Sequence, residues 1–355
     1  MPSGASVKIL IVKTSAIGDV IHAFAAVDYL RSKFPTAQID WVVESSAYSL
    51  VRAHPQLDSA IEIKTKLWRK KLFSFKTWQD IFRVVKHLRS SSYDLLFDLQ
   101  GNTKSACVTF LAKARKKVGF DAQAVSEKLN LLVTHQHVAL TQVEDIRSKY
   151  LRLVENYFHD AQVPKARSVH LLLSEKEKLR LEALPLQRHN CLMVCFGSNW
   201  KNKQLAPATL KAFLDLIASH YAPFFIFIYG NPGEQLQAEA LTRHFEPRSL
   251  ALGHLSLPLW QALMWRCKGV IAVDSAALHL AATTETPTFS IFGPSLASFY
   301  KPPGAQHVSI QGSCPYGRHF PQRCPVLRTC STGACIKDLD PQELFRQFQQ
   351  THLGK

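Results

Sequence analysis

The chain has 355 residues, 46% of them hydrophobic, with 43 Lys and Arg against 27 Asp and Glu and a formal net charge of +16. That length suits two or three domains with substantial cores, and no apolar run approaches the ~20 residues of a membrane span. The opening MPSGASVK lacks the basic-then-apolar layout of a secretory signal, so a cytoplasmic protein is expected, and the charge calls for an anionic partner: nucleic acid, nucleotide phosphate or an acidic membrane surface.

Strand and helix patterns alternate along the whole chain, which argues for α/β architecture with parallel sheets covered on both faces. KILIV (8–12) predicts a strand, followed by a helix from Asp19 to about Phe34 with an apolar stripe of Val20, Ala23, Phe24, Val27 and Leu30. IDWVVE (39–44), AIEIK (60–64) and YDLLFDLQ (93–100) continue one doubly wound domain, placed at residues 1–170. The charge-rich, proline-containing stretch 165–190 reads as the connector. A second domain, placed at 185–338, runs through strands CLMVCFGS (191–198), PFFIFIYG (223–230), SLALG (249–253), GVIAVDS (269–275) and PTFSIFG (287–293), with helices near 207–221, from about Glu234, near 257–267 and near 276–285. Asp338-Leu339-Asp340 has the look of a metal-binding D-x-D, but Asp340-Pro341-Gln342-Glu343 is a helix start with Asp340 as N-cap. The segment 340–355 is then a C-terminal helix.

Two further stretches stand out. Residues 64–89 carry nine Lys and Arg and one acid, Asp80, with Trp68, Phe73, Phe75 and Trp78 among them. The later part, with Ile81, Val84, Val85 and Leu88, reads as a helix with an apolar face. The earlier part suits an interface bearing phosphates and carboxylates. Of eight cysteines, Cys107, Cys191, Cys195 and Cys267 sit in apolar contexts and read as structural. Cys314, Cys324, Cys330 and Cys335 share one loop-like stretch whose spacing matches no zinc pattern, so reduced thiols and no metal are expected there.

Ligands of open α/β sheets bind at the carboxyl ends of strands, so the chemistry is sought there. Neither G-x-G-x-x-G nor G-x-x-x-x-G-K-[ST] occurs. After KILIV, the turn KTSAIG delivers Asp19, which reads either as an N-cap or as a general base taking a proton from a hydroxyl, with His22 one turn on. In VCFGSNWKNKQLAPATL, Ser198, Asn199, Lys201 and Lys203 read either as a solvated loop or as donors for a pyrophosphate. In IAVDSAALHLAA, Asp274, Ser275, Ala276 and His279 read either as a helix cap or as a phosphate cradle. A nucleic-acid-binding protein is the rival suggested by charge, but no module signature supports it, so no nucleic-acid partner is expected.

Together with IDWVVE, LWRKKLF, DLQGNTKSA, GNPGE and IFGPS, these stretches resemble glycosyltransferase family nine, the ADP-heptose:lipopolysaccharide heptosyltransferases, most closely the heptosyltransferase I type, over most of the chain. The resemblance implies a GT-B fold: two Rossmann-like doubly wound domains with an interdomain cleft, an acceptor-binding first domain, a nucleotide-sugar-binding second domain, and the C-terminal helix crossing back to the first. It implies inverting transfer of heptose from ADP-heptose to Kdo of lipid A without metal or cofactor, on the inner leaflet of the inner membrane as a peripheral protein. By position Asp19 matches the general base, and Lys203 the lysine that meets the donor phosphates. Ser198 and Asn199 match that loop's hydroxyl pair, and Glu234 the acid holding the ribose. Asp274, Ser275, Ala276 and His279 match the diphosphate motif. Ser15, His22, Arg69, Lys70, Lys71 and Lys104 are assigned to the acceptor. Ala276 departs from the family's glycine, Asn199 from a hydroxyl, and KQLA from K-x-W-P. A family-nine transferase using another nucleotide sugar or acceptor is the alternative.

Overall fold

The computed structural model describes residues 6–140, 143–160, 168–185 and 190–354. The chain forms two compact units, Met1–Leu172 and Leu173–Lys355. Parts of the expected connector, 165–167 and 186–189, lie outside the described residues.

The first unit contains β1 (Lys8–Val12), β2 (Gln38–Glu44), β3 (Ser59–Ile63), β4 (Ser92–Asp98), β5 (Lys113–Phe120) and β6 (Gln136–Val138). They pair in the order β3-β2-β1-β4-β5-β6, every neighbour parallel. The second contains β7 (Cys191–Cys195), β8 (Phe224–Tyr229), β9 (Ser249–Gly253), β10 (Gly269–Val273), β11 (Thr288–Phe292) and β12 (His307–Gln311). Their order, β12-β11-β10-β7-β8-β9, repeats the first, again all parallel. Helices on both faces explain why β1, β7 and β10 read as near-continuous apolar runs rather than alternating ones, and why every residue of β11, TFSIF, is buried.

Three strands escape the sequence reading. In β5, KARKKVGF, only the last three residues are buried, so its cations hide a strand that the sheet edge recruits by pairing with β4. β6 and β12 are short and half-exposed. The expected Asp19–Phe34 helix is two helices, Ile17–His22 and Phe24–Lys33, broken at Ala23, although all five stripe residues are buried. The helix expected at 276–285 ends at Ala281, where the Thr283 and Thr284 hydroxyls donate to the Leu280 and Ala281 carbonyls, both at 2.7 Å. Cys191, Cys195 and Cys267 are buried as small hydrophobes, whereas Cys107 is exposed on the helix Thr103–Leu111; all eight cysteines are free thiols.

The C-terminal helix, Pro341–Gln349, starts as anticipated, with Asp340 accepting from the Gln342 and Glu343 N–H groups at 3.2 Å. It falls within the second unit, where its buried face is occupied. Phe348 packs edge-on against Phe289 (5.4 Å) and Phe213 (6.0 Å), and Phe345 lies against His220 (4.7 Å).

In the first unit His54 is 1% exposed, packed 4.4 Å from the Phe24 ring, its Nδ1 accepting from the Gln56 N–H at 3.3 Å. Burial, reinforced by the Arg31 charge, lowers its pKa to about 3. The unfolded chain binds a proton here below pH 6.5 and the folded one does not, so stability is lost as pH falls from 6.5 towards 3. The cost is about 1.4 kcal/mol per pH unit in that window. Urea unfolding of wild type and His54→Gln from pH 7 to 4.5 should show this slope only in wild type; parallel curves would mean that His54 is not held neutral.

Candidate active site

Each sheet reverses its direction of growth once, between β1 and β4 in the first unit and between β7 and β10 in the second. Connections leaving the carboxyl ends of these strand pairs go to opposite faces, which opens a crevice there.

In the first unit the chain past β1 stays buried through Lys13 and Thr14. Gln100, just beyond β4, accepts from the N–H groups of Thr14 (3.1 Å) and Ser15 (3.0 Å), and its own N–H donates to Asp98 at 3.0 Å. The β1 turn is thus latched to the end of β4. Asp19 is not the N-cap: Ala16 holds that place, and Asp19, in the first turn, accepts from the Ala16 N–H through Oδ2 at 3.2 Å. Its Oδ1 accepts from the Tyr150 hydroxyl at 3.1 Å. Lys13 Nζ lies over the Tyr150 ring at 4.5 Å. Burial lowers the Lys13 pKa to about 8, with Asp19 opposing and Lys149 adding to the shift; burial likewise lowers Lys149 against the pull of Asp19. Two lysines and a phenol therefore surround the carboxylate.

Lys104, at the start of the helix after β4, reaches across to Ser15 Oγ (3.2 Å) and to the buried Glu44 at the end of β2 (3.1 Å). Glu44 also accepts from the Thr65 hydroxyl, which opens the helix Thr65–Lys70. Ser15, Asp19 and Lys104 therefore come together. His22 is buried at the end of its helix, and Arg69, Lys70 and Lys71 lie exposed on Thr65–Lys70 and just after it.

In the second unit the loop after β7 closes in a 3-10 turn, Lys201–Lys203, that buries Lys203 and brings its ammonium onto Asp274 at the end of β10. Asp274 also faces His279 Nε2 at 3.5 Å. Burial alone would raise the Asp274 pKa, but the His279 hydrogen bond and the Lys203 charge outweigh it and hold the carboxyl well below the usual range. The Ser275 hydroxyl beside it is buried with no hydrogen-bond partner among the described residues. Ala276 opens the helix Ala276–Ala281. Ser198 Oγ accepts from the Trp200 N–H at 3.4 Å, and Asn199 is exposed. Glu234, on the helix Pro232–Phe245 after β8, accepts from the Gly230 N–H at 2.7 Å and packs flat on Gly197, where a Cβ would stand 2.5 Å from its carboxylate. Gly197 is what lets that acid reach the β7 loop.

Lys13, Glu44, Gln100, Lys149 and Tyr150 were missed from sequence. Lys13 and Gln100 sit inside stretches that drew notice, at strand ends, and could have been found there. Tyr150 is 131 residues from Asp19 and carries no local signal.

A family model described as Glycosyltransferase family 9 (heptosyltransferase) matches residues 81–327. Lipopolysaccharide heptosyltransferase 1 of Pseudomonas aeruginosa is 27% identical over 344 residues, 96% of this chain and 92% of its own. The enzyme of the same name from Escherichia coli K12 is 26% identical over 294 residues, 81% and 88% of the two chains. Among solved structures, E. coli heptosyltransferase WaaC with ADP superposes with a TM-score of 0.76 at 23% identity, covering 86% of this chain and 94% of its own. A family 9 glycosyl transferase of Veillonella parvula superposes with a TM-score of 0.80 at 15% identity, over 98% of both chains. These two likenesses establish the α/β fold of the GT-B type, and the family match, across well over half the sequence, establishes more: the chain is a glycosyltransferase and belongs to glycosyltransferase family 9, the heptosyltransferases.

Proposed function

We propose that the protein is an inverting transferase that moves heptose from ADP-heptose to Kdo of a Kdo–lipid A acceptor during synthesis of the lipopolysaccharide inner core. The names of its relatives support this, as do similar folds solved with ADP and with ADP-2-deoxy-2-fluoro heptose. The observation that carries the donor reading is the second-unit constellation: a buried lysine shared with Asp274, beside a buried serine hydroxyl that lacks a partner. A buried hydroxyl without a partner is costly unless a ligand completes it. Lys203 uses one of its three N–H donors on Asp274 and offers the others to a diphosphate.

In the proposed reaction the acceptor hydroxyl oxygen bonds to the anomeric carbon as the bond from that carbon to the diphosphate oxygen breaks. The hydroxyl proton passes to the Asp19 carboxylate, and the electron pair leaves with ADP. Tyr150 and the Ala16 N–H fix the carboxylate's orientation. Lys203, the Ser275 hydroxyl and the first peptide N–H groups of Ala276–Ala281 receive the charge that develops on ADP. Glu234 offers its second oxygen to a ribose hydroxyl. The step calls for no metal and no cofactor.

The acceptor is a membrane lipid, and we place the protein peripherally on the inner leaflet of the inner membrane. No helix among the described residues is long and apolar enough to cross a membrane. Phe73 is fully exposed, and Phe75 (77%), Phe82 (68%) and Trp78 (57%) are more than half exposed, among Arg69, Lys70, Lys71, Lys76 and Arg83. Trp68 is half-buried against the first-unit core and drops out of that set. Exposed aromatics at headgroup depth with cations around them suit an anionic lipid surface.

Asp19→Asn should leave ADP affinity unchanged by calorimetry while lowering kcat with purified acceptor by about 100- to 10,000-fold. Near-normal turnover would remove the base assignment. ADP should bind wild type more tightly than UDP or GDP, and equal affinities would point to a different donor. Replacing Arg69, Lys70 and Lys71 together by Ser should weaken binding to acceptor vesicles by up to about 100-fold, at about 1 kcal/mol per cation. It should raise the acceptor KM and leave ADP affinity alone, and high salt should mimic it in wild type. An unaltered KM at physiological salt would make the belt a solubilising surface only.

A further inference from the structure

The cysteine-bearing segment from Cys314 to Lys337 has no part in the reaction as described, yet it is built into the second unit at both ends. Near β11 the Leu296 N–H donates to the Gln322 carbonyl and the Cys324 N–H to the Pro294 carbonyl, both at 2.8 Å. Farther on, Ile336 is fully buried in the core, and a Cβ on Gly312 would stand 1.8 Å from the Cys335 carbonyl oxygen. The segment is a fixed platform.

Its middle grips the turn that carries Lys203. Asn202 Nδ2 donates to the carbonyls of Leu327 (3.0 Å) and Cys330 (2.7 Å), and Lys337 Nζ stands 3.5 Å from its Oδ1. Gly333, at φ +66°, fits closely there: a Cβ would stand 2.8 Å from Asn202 Oδ1. Beside the turn the Arg328 guanidinium lies over the Trp200 ring at 4.7 Å. The next residue, Lys203, closes the turn through its N–H to the Trp200 carbonyl at 2.8 Å and directs its ammonium to Asp274.

We propose that Asn202 is a positioning residue for donor binding, tying the Lys201–Lys203 turn to the cysteine-bearing segment and so setting the reach of Lys203 to Asp274 and the donor diphosphate. The inference rests on the reading that Lys203 meets the diphosphate. A three-residue turn has little to hold its shape, and a lysine that must be both buried and aimed gains affinity from being ordered before the ligand arrives. Asn202 supplies that order from a platform outside the turn, through a planar amide whose two N–H groups fit two carbonyls at once.

The test is a double-mutant cycle on the full-length protein with ADP as ligand and calorimetric Kd as the readout. Asn202→Ala should raise the ADP Kd about 10-fold, as the loss of one to two hydrogen bonds implies, and raise the donor KM with little change in the acceptor KM. In a Lys203→Met background the same substitution should change Kd by less than about twofold, because the residue acts through Lys203. A residue that merely stabilises the fold would shift Kd by the same factor in both backgrounds, and that result overturns the proposal, as does wild-type affinity in Asn202→Ala. If Asn202→Ala does not fold, Arg328→Ala, an exposed side chain holding the same loop through Trp200, replaces it in the cycle with the same expectations. Unchanged ADP affinity in Lys203→Met would overturn instead the donor reading on which the proposal rests.

Discussion

A right-handed crossover can take the chain to either side of its first strand, and in both units it goes first to one side and then to the other. That reversal is the constraint on which the candidate sites depend. At every other position in the sheets neighbouring strands are consecutive in the chain and joined by a single connection. Between β1 and β4, and between β7 and β10, they are not. The loops that leave these strands face each other across the gap, and in each unit a lysine from one loop touches the other: Lys104 on Ser15 and Lys203 on Asp274. The same geometry built twice in one chain accounts for two polar sites at strand ends, one in each unit.

Burial gives these polar groups their character. Asp274 and Lys203 are both almost fully enclosed and paired with each other, and breaking such a buried pair leaves an uncompensated charge, which is far costlier than never forming it. His279 and the unpartnered Ser275 hydroxyl add direction to that charge. Around Asp19 the balance is different. Lys13 is so deeply buried that its pKa drops to about 8, and it remains a cation at neutral pH partly through the opposing pull of Asp19. The carboxylate of the first site is thus surrounded by a phenol and two lysines at longer range, where that of the second is held by a direct buried ion pair.

The net charge of +16 is not spread evenly. Much of it lies in the helices that follow β3 and on β5, whose first five residues carry four cations and little burial. Cations there cost the core nothing, and the exposed phenylalanines beside the first of these helices are tolerable only on a surface that meets something apolar or is kept soluble by its charge.

Much of the fold was legible because it rests on local rules. Short apolar runs rich in β-branched residues, such as ILIV and GVIAV, read as buried parallel strands, prolines at the first positions of 207–221, 232–245 and 341–349 set helix starts, and Asp340 caps the last of them. The motifs around Asp19, Lys203 and Asp274 were legible too, since each sits just past such a strand. What the sequence could not determine is whatever depends on pairing across distance. β5 is a strand because β4 offers it an edge, against the pull of its own composition. Tyr150 meets Asp19 across 131 residues, and Asn202 meets Leu327 across 125. The C-terminal helix could have turned its apolar face to any exposed core, and only packing against Phe213 and Phe289 decided which. Periodicity and capping are properties of neighbours in sequence; partners in space exist only once the sheets have closed around them.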